Sequence, residues 1–243
     1  MTRPTHAILA VAFASFFPLV MALIYFVVLE NAEGTANPAL VTAYAVGKVI
    51  QFLFPLAYVW WFDRARLRIA PISFHTIPLA LGFSLLVAAS MFLLYYTVVK
   101  DIPTVAHDTP DKIENRLHQF GGCTHVGYFG MAIFFALFHS LAEEYYWRWF
   151  VYGTMRELIA VPAANVLSGL AFMAHHVVIL GVFFAGNFWL LAVPFSLGVA
   201  VGGCVWAWFY ERSGALYASW LSHCLVDAAI MGVGYAIVGA RLQ

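Results

Sequence analysis

Residues 126–155 read VGYFGMAIFFALFHSLAEEYYWRWFVYGTM. The run is apolar enough to enter a bilayer, yet it holds two adjacent carboxylates, Glu143 and Glu144, with Arg148 one helical turn later. About 20 apolar residues suffice to cross the hydrocarbon core, so this stretch is too long for one simple crossing. Ionisable side chains in lipid cost roughly 2.5–3.5 kcal/mol each on insertion scales, and more in simulations. A chain that keeps three of them here predicts a polar site assembled inside the membrane.

The rest of the chain supports that setting. Of 243 residues, 63% are hydrophobic and only 10% charged, where a soluble domain carries about 25% charged residues. Mean hydropathy is +0.85, so most of the surface is expected to face lipid. Net charge is zero, and no basic stripe runs along the chain that could track phosphates, which argues against a nucleic-acid partner. Cys123, Cys204 and Cys224 form no CxxC pair and no disulfide framework. They read as small packing residues, since Cys224 diverges from His223 by about 100° on a helix and is poorly placed as a nucleophile.

Windows of apolar residues predict spans near 7–29, 41–62, 76–99, 126–155, 162–183, 188–210 and 215–238. The first exceeds the 7–15 residues of a signal-peptide core and reads as a retained span. The fold class expected is an all-α polytopic bundle of seven helices, or eight if 126–155 or the Gly- and Pro-punctuated region 181–198 divides. The whole chain, 1–243, reads as a single membrane domain. Its motif-bearing core is about 126–238, the helices of 7–62 are peripheral, and 100–125 is a polar loop outside the membrane. Within that loop DKIENRLHQ suggests a short surface helix beginning near Asp111, with His107, His118 and His125 solvated. The first loop carries Glu30 and Glu33, while the second carries Arg64, Arg66 and Arg68. By the positive-inside rule the second loop and the N-terminus are then cytoplasmic, as expected of a bacterial inner-membrane protein.

Three spans carry the polar groups. At 1.5 Å per residue, Glu143 lies about 20 Å in from Arg156, His176 about 21 Å in from Pro162, and His223 about 14 Å in from Gly214. Comparable depths permit one shared cavity, and groups at that depth need partners or water. Glu144 and Arg148 are i,i+4 and can pair directly, as can His139 with Glu143 and His223 with Asp227. Glu143 is left without a dedicated cation on its own helix, which suits it to general-base work near neutral pH.

These residues carry a resemblance. EEYYWR at 143–148 fits the EExxxR motif of the CAAX protease and bacteriocin-processing (CPBP) family, FMAHH at 172–176 fits its FxxxH motif, and HCLVD at 223–227 fits its HxxxN/D motif. The three occur in the family's order on separate predicted helices, over about residues 130–230. The resemblance, which extends to the Ras-converting CAAX endopeptidase, implies an intramembrane endopeptidase acting on a membrane-associated or lipid-modified peptide. Carried over by position, Glu143 resembles the base that activates water, and His176 the residue that helps hold it. His223 and Asp227 resemble the pair that stabilises the oxyanion, with Glu144 and Arg148 in structural support. Asp227 stands where many relatives have Asn, whose amide would donate to an oxyanion that an ionised carboxylate would repel. His175 is the other histidine of the tandem; the Phe172 spacing selects His176.

Metal dependence is open at this level. Glu143, His176 and His223 could serve as zinc ligands with His139 nearby, although no HExxH occurs anywhere in the chain. The same groups work without metal as a base with polarising donors. Two rival functions use the same residues: a non-enzymatic membrane binding or immunity protein with a retained polar cavity, and a proton-coupled transporter. The transporter would show broken helices in two related halves, and no internal repeat is visible.

Overall fold

The computed structural model describes residues 3–29, 38–64, 74–120 and 122–243, and among them all regular structure is helical. Seven helices are long and apolar enough to cross a membrane: α1 Thr5–Val28, α2 Pro38–Phe62, α3 Ile77–Asp101, α5 His125–Leu158, α6 Val161–Phe183, α7 Phe188–Ser213 and α8 Tyr217–Arg241. They coincide with the seven apolar windows, because lipid leaves the backbone no partner but itself and a helix satisfies every N–H and C=O within its own segment. No eighth span appears among the described residues: α5 runs unbroken for 34 residues. At 1.5 Å per residue that is about 51 Å, well beyond the roughly 30 Å of hydrocarbon. Glu30, Glu33, Arg66 and Arg68, which carry the orientation argument, lie outside the described residues.

The polar segment departs from expectation. Its helix, α4, spans Pro103–Phe120 and begins eight residues before Asp111, with Pro110 inside it. Proline suits the first turn, where its missing N–H is not needed, and docking sustains the turns around Pro110. Thr109 Oγ1 donates to the Phe183 carbonyl at 3.2 Å and Lys112 Nζ to the Val182 carbonyl at 2.8 Å. These are carbonyls that the end of α6 would otherwise leave unpaired. Arg241, closing α8, pairs with Asp111 and Glu114. His107, His118 and His125 are exposed, as the sequence suggested.

Helices α6 and α7 meet through small residues. A Cβ at Gly169 would lie 2.6 Å from Cys204 Sγ and 2.9 Å from the Ala200 carbonyl, and one at Gly203 would lie 3.2 Å from the Gly169 Cα. Close backbone approach is how helices gain packing in lipid, where no hydrophobic effect drives them together. Asn165 Nδ2 donates across the same seam to the Cys204 carbonyl at 3.1 Å and ties the two helices together. Gly214 ends α7 in the left-handed conformation at φ +66°, the usual glycine role after a helix C-terminus. Ser84 of α3 bonds Ser222 of α8 at 2.9 Å.

Helix α5 is the hub. Tyr146 donates to the Ala14 carbonyl of α1 at 2.7 Å, Tyr145 to the Phe52 carbonyl of α2 at 3.1 Å, and Trp220 of α8 to the Leu137 carbonyl at 3.0 Å. Its core side chains Tyr146, Trp147, Arg148 and Phe150 are fully buried. Two π-helical stretches, Phe134–His139 and Tyr145–Tyr152, flank the short α-helical segment Ser140–Glu144. Such insertions recur at functional sites because they re-aim side chains that an unbroken α-helix would stack.

Candidate active site

Three imidazoles converge on Glu143, of which His223 alone belongs to the three motifs. His139 Nε2 lies 3.8 Å and His175 Nε2 3.9 Å from its Oε1, while His223 Nε2 lies 3.7 Å from its Oε2. Glu143 lacks a cation of its own helix as expected, but it is ringed by imidazoles from α5, α6 and α8. All three distances exceed a direct hydrogen bond, and atoms so spaced can share one water at about 2.8 Å from each.

Glu144 points the other way. Its Oε1 accepts from His223 Nδ1 at 2.9 Å and lies 3.3 Å from Arg148 Nη2, and both the Glu144 and Arg148 side chains are 0% exposed. The spacing in sequence pairs His223 with Asp227, and that contact exists at 3.5 Å. The short bond, however, runs to Glu144, on another helix and therefore invisible to i,i+4 reasoning. Because Nδ1 is committed to Glu144, Nε2 of His223 is the nitrogen turned toward Glu143 and Asp227.

Aromatic rings fix these groups. Trp206 stacks on His223 at 4.0 Å between centroids and 14° between planes, and its Nε1 donates to Ser222 at 3.0 Å. Phe172, the first residue of the second motif, meets the rings of His175, His176 and His223 edge-on. The Arg148 guanidinium lies over Phe172 at 4.9 Å and over Trp206 at 5.4 Å. Cation–π contact of this kind gains strength in a desolvated setting.

The tandem histidines separate clearly. His175 is buried, parallel to Trp147 at 5.8 Å, and is the one within ion-pair distance of Glu143. His176 is half-buried and bonds through Nδ1 to the Phe172 carbonyl at 3.0 Å, with its ring centroid 4.1 Å from that of His175. Donation from Nδ1–H leaves Nε2 of His176 as an acceptor.

Zinc would need three or more donors aimed at one point, with bonds of about 2.0–2.2 Å to nitrogen and oxygen. Among the described residues no three His, Cys, Asp or Glu side chains are so arranged. The nitrogens of His139, His175 and His223 each face a Glu143 oxygen, so the carboxylate itself stands at the centre of the ring. The donor set, including Glu143, His176 and His223, does not fit the zinc centre that the sequence left open.

One member of the site went unnoticed in the sequence. Lys48 of α2 reaches His139, with Nζ 3.4 Å from Nε2. It is the only charged residue between Pro38 and Phe62. That isolation is the signal that could have found it, because a lone cation deep in an apolar span marks function by default.

No curated protein and no solved structure gives a match to this chain. Residues 125–229 match the family model described as Type II CAAX prenyl endopeptidase Rce1-like. The matched segment holds all three motifs and every member of the site just described except Lys48. Over residues 125–229, this multi-pass membrane chain is therefore similar to the Rce1-like type II CAAX prenyl endopeptidase family.

Proposed function

We propose that the protein is an intramembrane endopeptidase that cleaves a membrane-associated or lipid-modified peptide with a Glu143-activated water. The observation that carries this reading is the ring of three imidazole nitrogens 3.7–3.9 Å from a buried carboxylate. Glu143 takes a proton from water held between its carboxylate and the tandem histidines His175 and His176. The resulting hydroxide attacks the peptide carbonyl. His223, bonded through Nδ1–H to Glu144 and acting as an imidazolium, donates from Nε2 to the developing oxyanion. Asp227, 3.5 Å from the same nitrogen, assists through His223. Glu143 then returns its proton to the leaving amine, so the net reaction consumes one water. Glu144 and Arg148 hold His223 in place from behind.

A positioned general base contributes typically 10²–10⁴-fold, and one oxyanion donor about 10²–10³-fold. The test is cleavage of a membrane-peptide library by full-length protein in lipid nanodiscs, with products read by mass spectrometry. Wild type is expected to generate new termini that Glu143→Ala and His223→Ala do not. Wild-type cleavage by either folded variant would contradict the reading, as would a wild type that cleaves nothing while Glu143→Ala preserves function in cells. The second outcome would favour a binding or immunity protein.

The N-terminus and the α2–α3 loop are placed on the cytoplasmic side in this reading. Arg156 pairs with Glu211 near the ends of α5 and α7, which puts Arg156 and Arg212 at a common end of the bundle, as that topology requires.

A further inference from the structure

The rim of the site is electrically asymmetric. Glu144 is sealed and Glu143 nearly so, with side chains 0% and 6% exposed, whereas His139 and Asp227 beside Glu143 are 18% and 17% exposed and mark the open edge. Lys48 stands beside His139 at that edge. Its ammonium lies 5.7 Å from the Tyr44 ring centroid and 5.4 Å from that of Phe52, and its polar neighbour is the His139 nitrogen. Among the described residues no carboxylate comes within ion-pair distance of it. Arg148, the other buried cation, is committed to Glu144 and two aromatic faces.

An ammonium at this depth with no carboxylate of the described residues in direct contact is costly, and aromatic faces and the more distant Glu143 offset only part of that cost. An anion arriving with the substrate would complete the pair. We propose that Lys48 is a specificity-determining residue that receives a carboxylate of the bound peptide, an inference that rests on the endopeptidase reading. The same His139 nitrogen touches Lys48 and lies 3.8 Å from Glu143. At about 3.5 Å per residue, the recognised carboxylate then falls within roughly two residues of the cleaved bond.

The test compares matched peptides on full-length protein in nanodiscs. One pair has a free or an amidated C-terminus, and the other has Glu or Gln two residues from the cleaved bond. Wild type is expected to prefer the carboxylate member of one pair by about tenfold or more in kcat/KM, and the pair that responds identifies which carboxylate is read. Lys48→Met should cleave both members of the responding pair at equal rates, whatever its overall rate, while Lys48→Arg keeps the preference. Each ratio is taken within one preparation, so lost folding cannot mimic the result, and Lys48→Gln serves if the Met variant does not purify. Cleavage without charge preference by wild type, or an unchanged preference in Lys48→Met, overturns the role of Lys48 and leaves the endopeptidase reading intact. Failure of wild type to cleave any peptide overturns both.

Discussion

Glu143 and Glu144 are neighbours in sequence and opposites in environment. Glu144 is sealed, bonded at 2.9 Å to His223 and facing Arg148 at 3.3 Å. Glu143 meets its imidazoles at 3.7–3.9 Å and sits beside the half-open edge formed by His139 and Asp227. Short, dry contacts hold a framework, while loose contacts around a carboxylate leave room for water and substrate. A turn of helix can thus divide one acidic pair into a structural member and a reactive one.

Removing the closed member should produce the largest change. Glu144→Ala strands Arg148 among apolar rings, and breaking a buried pair this way costs about 3–5 kcal/mol. Thermal unfolding in detergent should report that loss, and an unchanged unfolding profile would deny Glu144 its structural role. His223→Ala cuts the link between the two halves. It should lower kcat by roughly 100- to 1,000-fold, with a smaller effect on KM, as measured by steady-state peptide cleavage.

The tandem histidines offer a finer division. His175→Ala should weaken both stability and turnover, because the ring is buried against Trp147 and faces Glu143. His176→Ala should lower turnover about tenfold or more while changing stability by less than about 1 kcal/mol, since its ring is half-buried. Equal stability losses in the two variants would erase the distinction. The smallest effect belongs to Asp227→Asn, which exchanges a carboxylate for a donor amide and should leave kcat/KM within about tenfold of wild type. A collapse of activity there would show that the carboxylate itself takes part.

Much of this was legible in the chain. Hydropathy located all seven spans within a few residues, because a bilayer imposes length and apolarity on every crossing. The three motifs placed Glu143, Glu144 and Arg148 on one helix, His176 on a second, and His223 and Asp227 on a third, at comparable depth. What escaped was everything that depends on how helices rotate against one another. The spacing tied His223 to Asp227, while the shorter bond crosses from α8 to Glu144. Phe172 spacing selected His176, whereas packing turns His175 toward Glu143. Lys48 belongs to a helix that reads as peripheral, and only its contact with His139 joins it to the site. Helix α4 began early because Thr109 and Lys112 dock on the end of α6, a tertiary contact without local signature.

The division between the two glutamates is tested most directly by Glu143→Gln and Glu144→Gln purified side by side, each measured for peptide turnover and for thermal midpoint. The account predicts that Glu143→Gln unfolds within about 2 °C of wild type yet cleaves at least about 100-fold more slowly, while Glu144→Gln loses thermal stability first. Wild-type turnover by Glu143→Gln would contradict it.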